Sequence, residues 1–261
     1  MNNQTLVRLL IFSLCFFSLA ILENFFPDRK QSEKKVKRWS VNFTLVSLDL
    51  ILLKVLFPIG LVGFAVYVHD KNFGLLNYFH VDGLRYDVAC LLLFDLIIYG
   101  QHYFFHKLNW LWSFHQVHHS DGDLDVTSGV RFHPVEIIIS SIIKIIFIFI
   151  IGPSYKSVFF FEVLLNSSSL FNHANLFIPP SIEKKLRLLI VTPQMHIIHH
   201  SNNDTAKSKN FGFNLSWWDY VFMTYKDINF SNYIIGLERY GPTKRQKIFR
   251  LLSIPFNSKF Q

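Results

Sequence analysis

The chain has 261 residues, 51% of them hydrophobic, with 29 Phe, only two Cys and a net charge of +8. A mean hydropathy of +0.27 is modest for a protein built only of membrane spans, so apolar spans joined to a sizeable polar portion are expected. Two isolated Cys exclude a disulfide framework and a CxxC metal pair. The positive charge, gathered in blocks at 29–38 and 243–250, lacks a recognisable nucleic-acid fold and points to lipid headgroups, with no nucleic-acid partner.

A helix needs about 20 apolar residues to cross the hydrocarbon core. Leu6 to Phe26 is the first such run, closed by Pro27-Asp28-Arg29. Arg8 and Ser18-Leu19-Ala20 would also fit a signal peptide. Cleavage there would leave an apolar stub, so an anchor is expected. Val41 to about Val68 forms a second run with a bend near Pro58 and Gly60, and Tyr86 to about Phe105 a third. A polar stretch, Lys107 to Pro134, follows. Val135 to Ile151 and Ser157 to about Phe171 are shorter runs split by Gly152-Pro153, suited to spans or to a re-entrant hairpin. The expectation is an all-α protein with four to five spans. With five spans and the N-terminus outside, the inside segments carry 20 of the 26 Lys and Arg, while the outside loops carry Lys71, Arg85 and Lys156. That asymmetry obeys the positive-inside rule and sets the polar portion on the cytosolic side.

The chemistry-bearing residues are histidines. Eight of the twelve fall in three clusters: His102-x-x-x-His106, His115-x-x-His118-His119 and His196-x-x-His199-His200. Residues three and four apart share one helix face, and neutral imidazole is the commonest metal ligand among side chains. One HxxxH is weak; HxxHH twice beside it is not. His133 and His173 lie between the second and third clusters and join as ligands or as donors to ligands, whereas His69 and His80 stand alone as surface residues. Packing does not explain so many imidazoles, because each buried one needs a hydrogen-bond partner. One ion takes about four to six ligands, so the set suits two ions. Imidazole serves iron, zinc, copper and nickel alike, and spacing does not choose among them.

On the third run Asp95, Tyr99, His102 and His106 form one stripe. An ionisable residue within a span usually faces a protein interior. Asp95 therefore either holds the second ring nitrogen of a ligating histidine or is satisfied by a neighbouring span, and Tyr99 either supports the site or packs at the interface. A histidine-rich zinc-binding or transport protein is the alternative to an enzyme. A transporter would set its ligands near mid-membrane on several spans, and here they gather at one end.

These stretches resemble a known family. Asp95-x-x-x-Tyr99-x-x-His102-x-x-x-His106, Leu111-Trp112-x-Phe114-His115-Gln116-Val117-His118-His119-Ser120, Asp125-Val126-Thr127, Arg131-Phe132-His133-Pro134-x-Glu136, Phe171-Asn172-His173-Ala174-Asn175, Val191-Thr192-Pro193-Gln194-Met195-His196-x-x-His199-His200-Ser201 and Asn210-Phe211-Gly212-Phe213-Asn214-x-x-Trp217-Trp218-Asp219 are similar to the fatty acid hydroxylase and sterol desaturase superfamily of membrane non-haem di-iron oxygenases. The likeness runs from about 85 to 225 and looks closest to bacterial sterol desaturase-like members. It implies membrane helices under a cytosolic helical cap that holds two irons, with O2 as co-substrate and a lipid C–H bond as target, to be hydroxylated or desaturated. By resemblance His102, His106, His115, His118, His119, His196, His199 and His200 are iron ligands, with His173 and His133 following.

The division expected is anchor spans at 1–84, a catalytic domain at 85–225 and a basic interfacial tail at 226–261, which lies at the membrane surface or docks an acidic carrier. No flavin, nicotinamide, iron–sulfur or cytochrome b5 motif occurs in the sequence. A separate electron donor is therefore expected: a reductase, a ferredoxin or a cytochrome b5-like carrier. The location implied is a bacterial inner membrane, or the endoplasmic reticulum of a eukaryote.

Overall fold

A computed structural model describes residues 3–203, 206, 208–227, 234–237 and 247–256. Its elements are helices: α1 (Asn3–Phe25), α2 (Lys35–Leu56), α3 (Gly60–Asp70), α4 (Leu75–Tyr78), α5 (Leu84–Lys107), α6 (Asn109–His119), a 3₁₀ turn (Val126–Val130), α7 (Pro134–Ile151), α8 (Tyr155–His173), α9 (Pro180–Leu186), α10 (Pro193–His199), α11 (Trp217–Val221) and α12 (Ile248–Ser253). Only isolated bridges, and no β-sheet, occur among the described residues.

Four helical stretches are long and apolar enough to cross a membrane: Gln4–Phe25, Lys35–Tyr78, Leu84–Lys107 and Pro134–Ile151. The expected bend in the second is a break over 57–59. Pro58 cannot donate a backbone N–H, and Gly60 restarts the helix from φ 65°. The fifth apolar run is helical, as α8, but is not apolar enough to be counted with the four. It packs against α1, α3, α5, α10 and the 3₁₀ turn. Its Glu162, paired with Arg8 of α1, and its Ser169 and Asn172 therefore meet protein, where polar groups find partners.

The apolar core of the bundle is Leu61, Ala65, Phe94, Ile98, Ile148, Val158 and Phe161, from α3, α5, α7 and α8, with Phe94 and Phe161 stacked at 4.3 Å. At the end of the bundle away from the histidines, Asp87 at the start of α5 accepts from Ser154 and Ser157 beside the α7–α8 turn, both at 2.6 Å. At the other end the described residues 248–254 of the tail pack onto the fold. Leu251 and Ile254 of 248–254 are buried against Val41, Leu45 and Val117, while Phe249 stays exposed. Residues 238–246, which include Lys244 and Arg245 of the second basic block, lie outside the described residues.

One close approach sets the position of the polar layer on the bundle. A Cβ at Gly129 would lie 2.5 Å from the Ser169 carbonyl oxygen of α8, which is backbone and cannot swing aside. Ser169 Oγ in turn donates to the Gly129 carbonyl at 2.6 Å. Gly129→Ala is expected to destabilise the fold by about 1–3 kcal/mol, the usual cost of overpacking, read as a lower thermal midpoint of the purified protein.

Candidate dimetal centre

Nine of the ten histidines singled out from the sequence converge at one end of the bundle. α5 contributes His102 and His106, one turn apart, and α6 contributes His115, His118 and His119. His173 is the last residue of α8. α10 carries His196 and His199, with His200 at its C-cap. Thr192 caps α10, accepting from Met195 N at 3.2 Å, and Pro193 occupies its first turn, so the short helix has a defined start.

The nine imidazoles divide into two groups. His102, His106, His115, His119 and His199 form one; His118, His173, His196 and His200 form the other. Within each group the candidate ligand atoms lie within 4.8 Å of one another. All nine are buried except His106, which is half-buried. Neither group follows the order of the sequence: His118 and His119 are neighbours in the chain and belong to different groups, as are His199 and His200.

On five of the rings a hydrogen bond on the far side fixes which nitrogen faces inward. His102 Nδ1 donates to the Phe211 carbonyl at 2.9 Å, and His118 Nδ1 to that of Arg131 at 3.1 Å. His173 Nδ1 donates to Ser169 at 2.7 Å and His199 Nδ1 to Lys209 at 2.8 Å. A carbonyl can only accept, so these rings carry their proton on Nδ1 and turn a bare Nε2 inward. His115 Nδ1 meets Glu136 Oε1 at 2.6 Å. Such outer partners orient a metal-binding imidazole and raise its basicity.

The inward atoms have no protein partner that satisfies them. Nε2 of His102, His106, His115, His119 and His199 is buried without a hydrogen bond in every case. In the second group His173 Nε2 lies 3.0, 3.1 and 3.2 Å from Nε2 of His118, His196 and His200. His118 and His173 both hold their proton on Nδ1, so their facing Nε2 atoms are lone pair against lone pair, an arrangement that needs a cation between them. Two nitrogens about 2.1 Å from one ion at a right angle are about 3.0 Å apart. The residues present thus fit two metal ions.

Burial, and after it the neighbouring imidazoles, pushes His118, His119, His196 and His200 well below the usual histidine range. Burial likewise lowers His173 to about 4 and His199 to about 3. These six rings are neutral at pH 7, the form that ligates metal.

The other sequence candidates resolve differently. His133 is not brought to the cluster. Its Nδ1 caps α7 by accepting from Val135 N at 3.1 Å, and its Nε2 lies 3.3 Å from the Leu252 carbonyl. Both nitrogens are engaged in holding helices, so the expectation that His133 joins the ligands is corrected. Asp95 meets no histidine either. Its oxygens accept from Asn214 N and Nδ2, Leu215 N and Trp218 Nε1 at 2.7 to 3.2 Å.

Tyr99 touches no histidine of the two groups by hydrogen bond and is linked to His102 through three intervening residues. Its hydroxyl meets Thr224 Oγ1 at 2.8 Å, and Thr224 donates to Asp219 Oδ1 at 2.6 Å. Asp219 accepts from Phe211 N and Gly212 N at 2.8 and 2.7 Å, which sets the Phe211 carbonyl on His102. Glu136 and Asp219 are the supports that sequence reasoning quoted but gave no role. For Glu136 the signal was a carboxylate inside a histidine-bearing stretch, with nothing in the spacing to say which ring it served; Asp219 stood in a stretch without histidine.

Comparisons with known proteins point to one enzyme family. A fatty acid hydroxylase family model matches residues 88–224, just over half the chain. The chain is 28% identical over 138 residues to ornithine lipid hydroxylase OlsE of Rhizobium tropici, covering 53% of this chain and 41% of that protein. It is 29% identical over 135 residues to alkylglycerol monooxygenase of Homo sapiens, covering 52% and 29%. To the Danio rerio alkylglycerol monooxygenase it is 30% identical over 155 residues, covering 56% and 33%. The match thus spans less than half the length of each relative. None of these three is a sterol desaturase, and the narrower expectation of a sterol desaturase-like member gains no support from them. No solved structure matches the chain.

Proposed function

Because this chain belongs to the fatty acid hydroxylase family, we propose that it is a membrane di-iron monooxygenase that hydroxylates an aliphatic carbon of an amphipathic lipid. The observation that carries the reading is the pair of imidazole groups with bare inward nitrogens, at one end of helices apolar enough to span a bilayer. The names of the relatives, an ornithine lipid hydroxylase and alkylglycerol monooxygenases, favour hydroxylation over desaturation and a headgroup-bearing lipid as substrate.

Two bound irons would supply O2-dependent oxygenation of an unactivated C–H bond. The chain's own part is to hold and to shield. His102, His106, His115, His119 and His199 would hold one ion, and His118, His173, His196 and His200 the other. Glu136 and the carbonyls of Phe211, Arg131, Ser169 and Lys209 keep the Nδ1 protons away from the centre. Phe132 stacks on His118 at 4.5 Å, Trp112 lies 4.8 Å from His106, and Phe211 is within 5.7 Å of His102, His106 and His199. These rings make an aromatic collar that excludes water from the imidazoles. Electrons come from a separate reductase, ferredoxin or cytochrome b5-like carrier. The basic segments 29–38 and 179–261 favour, by the positive-inside rule, a cytosolic histidine-bearing end.

Protein purified without chelators is expected to hold about two irons per chain. Lipid extracts of cells with and without the gene are expected to differ by one oxygen in a single lipid class, and growth under 18O2 should carry the label into it. Native zinc in both positions, with no oxygen uptake in the presence of reductant and host lipid, would overturn the oxygenase and favour the zinc-binding reading.

A further inference from the structure

Residues 187–190 and 214–222 lie outside the four apolar stretches, and on sequence they belong to the polar cap. Their place along α5 assigns them to the membrane instead. A helix rises about 1.5 Å per residue, so Asp95 is about 18 Å back from Lys107, near the middle of α5. A carboxyl at that depth is costly without partners. Its partners are Asn214, Leu215 and Trp218, which are thereby held at mid-helix depth. About one turn nearer the histidines, Phe222 stacks on Tyr99 at 5.2 Å.

A second strand of chain comes with the first. Trp217 Nε1 donates to the Leu188 carbonyl at 3.0 Å, Ser216 N to that of Leu189 at 3.4 Å, and Ile190 bridges Leu215. The two segments together expose Leu188, Leu189, Trp217, Val221 and Phe222, between 43% and 64% each. Contiguous apolar surface of this kind marks an interaction site. α5 itself keeps Leu93 and Phe104 exposed over the same length, so the patch continues a lipid-facing span. On the histidine side stands Lys209, whose carbonyl His199 holds and which reaches the Met223 carbonyl at 3.1 Å, while Lys184 and Lys185, in the last turn of α9 just before 187–190, are exposed.

We propose that 187–190 and 214–222 form a re-entrant wedge seated among phospholipid acyl chains beside α5, with Arg187, paired with Glu183 and Asp227, joining Lys184, Lys185 and Lys209 in its collar at the headgroups. The backbone N–H groups of 188–190 and 214–216 are met by the carbonyls of Lys185, Leu186 and Leu189 and by Asp95, as a non-helical segment in a bilayer requires. It is continuous with Phe211, so the lipid-embedded segment also sets His102. This inference does not depend on which metal is bound or on turnover.

The test uses the full chain in nanodiscs of phosphatidylcholine and phosphatidylglycerol, with Cys15 and Cys90 replaced by Ala and single cysteines introduced. Val221→Cys and Leu189→Cys are expected to resist a charged, membrane-impermeant maleimide as Leu93→Cys does, and to react fully after unfolding in SDS. Lys184→Cys should react in both states. Reaction of Val221→Cys and Leu189→Cys in nanodiscs as fast as Lys184→Cys would overturn the proposal. Protection lost in nanodiscs that hold a single chain would overturn it in favour of a second copy covering the patch. Hydroxyl-radical footprinting of the unsubstituted protein repeats the measurement without any variant: Trp217 and Phe222 should stay unmodified in lipid, and their oxidation there would sink the wedge.

Discussion

His173→Ala is expected to remove one of the two metal ions and all lipid oxygenation, whereas His133→Ala keeps both ions. The two histidines stand alike in the sequence, each alone between the HxxHH clusters. In the structure His173 Nε2 is the common neighbour of His118, His196 and His200, at 3.0 to 3.2 Å. Deleting it leaves three ligands and a void at the centre of the group. The loss should exceed the roughly 10–100-fold that follows removal of a group behind a ligand, and elemental analysis should fall from about two metals per chain to about one. His133 holds Val135 N and the Leu252 carbonyl, so its removal should cost about 1 kcal/mol of stability. Full metal content in His173→Ala, or loss of metal in His133→Ala, would contradict the assignment of the second group.

Arg38→Met should destabilise the protein by roughly 3–5 kcal/mol, the cost of leaving buried charges without their partner. Arg38 is fully buried. Its Nε and Nη2 hold both oxygens of Asp121 at 2.9 Å, and its Nη1 holds Asp125 at 2.6 Å. Burial would raise the Asp121 carboxyl, but Arg38 and then Arg131 outweigh it and bring it down to about 2. Asp121 lies two residues after His119, and Arg131, whose carbonyl seats His118, is itself held by Asn42 at 2.9 Å. The segment preceding and opening α2, with Ser32 and Glu33 donating to Asp123, thus buttresses the histidine layer. Arg38→Lys should rescue little, because a single ammonium cannot reproduce the guanidinium fork. Thermal unfolding of the purified variants checks both; a shift of Arg38→Met no larger than that of an exposed Lys30→Met would contradict the prediction.

That buttress also shows where sequence reading stops. Residues 1–84 read as anchor spans because hydrophobic runs and basic blocks are local patterns. Arg38 looked like one more charge in the 29–38 block. Only the packing of α2 against the loop after α6 makes it a buried partner of carboxylates more than 80 residues away. The same holds for Asp95, whose stripe with His102 suggested a shared duty, while its four donors come from 214–218. Helix periodicity tells which residues share a face, but not what stands opposite that face.

By itself the sequence determined the helical class, the apolar stretches, the gathering of the clusters at one end and a ligand count suited to two ions. Each follows from composition, from the 3.6-residue period or from a motif contiguous in the chain. The tertiary structure decided the division into five and four imidazoles, the exclusion of His133, the partners that turn Nε2 of His102, His115, His118, His173 and His199 inward, and the depth of 214–222 along α5. Those depend on where segments distant in sequence pack, and a ligand sphere is closed only by side chains converging from several of them.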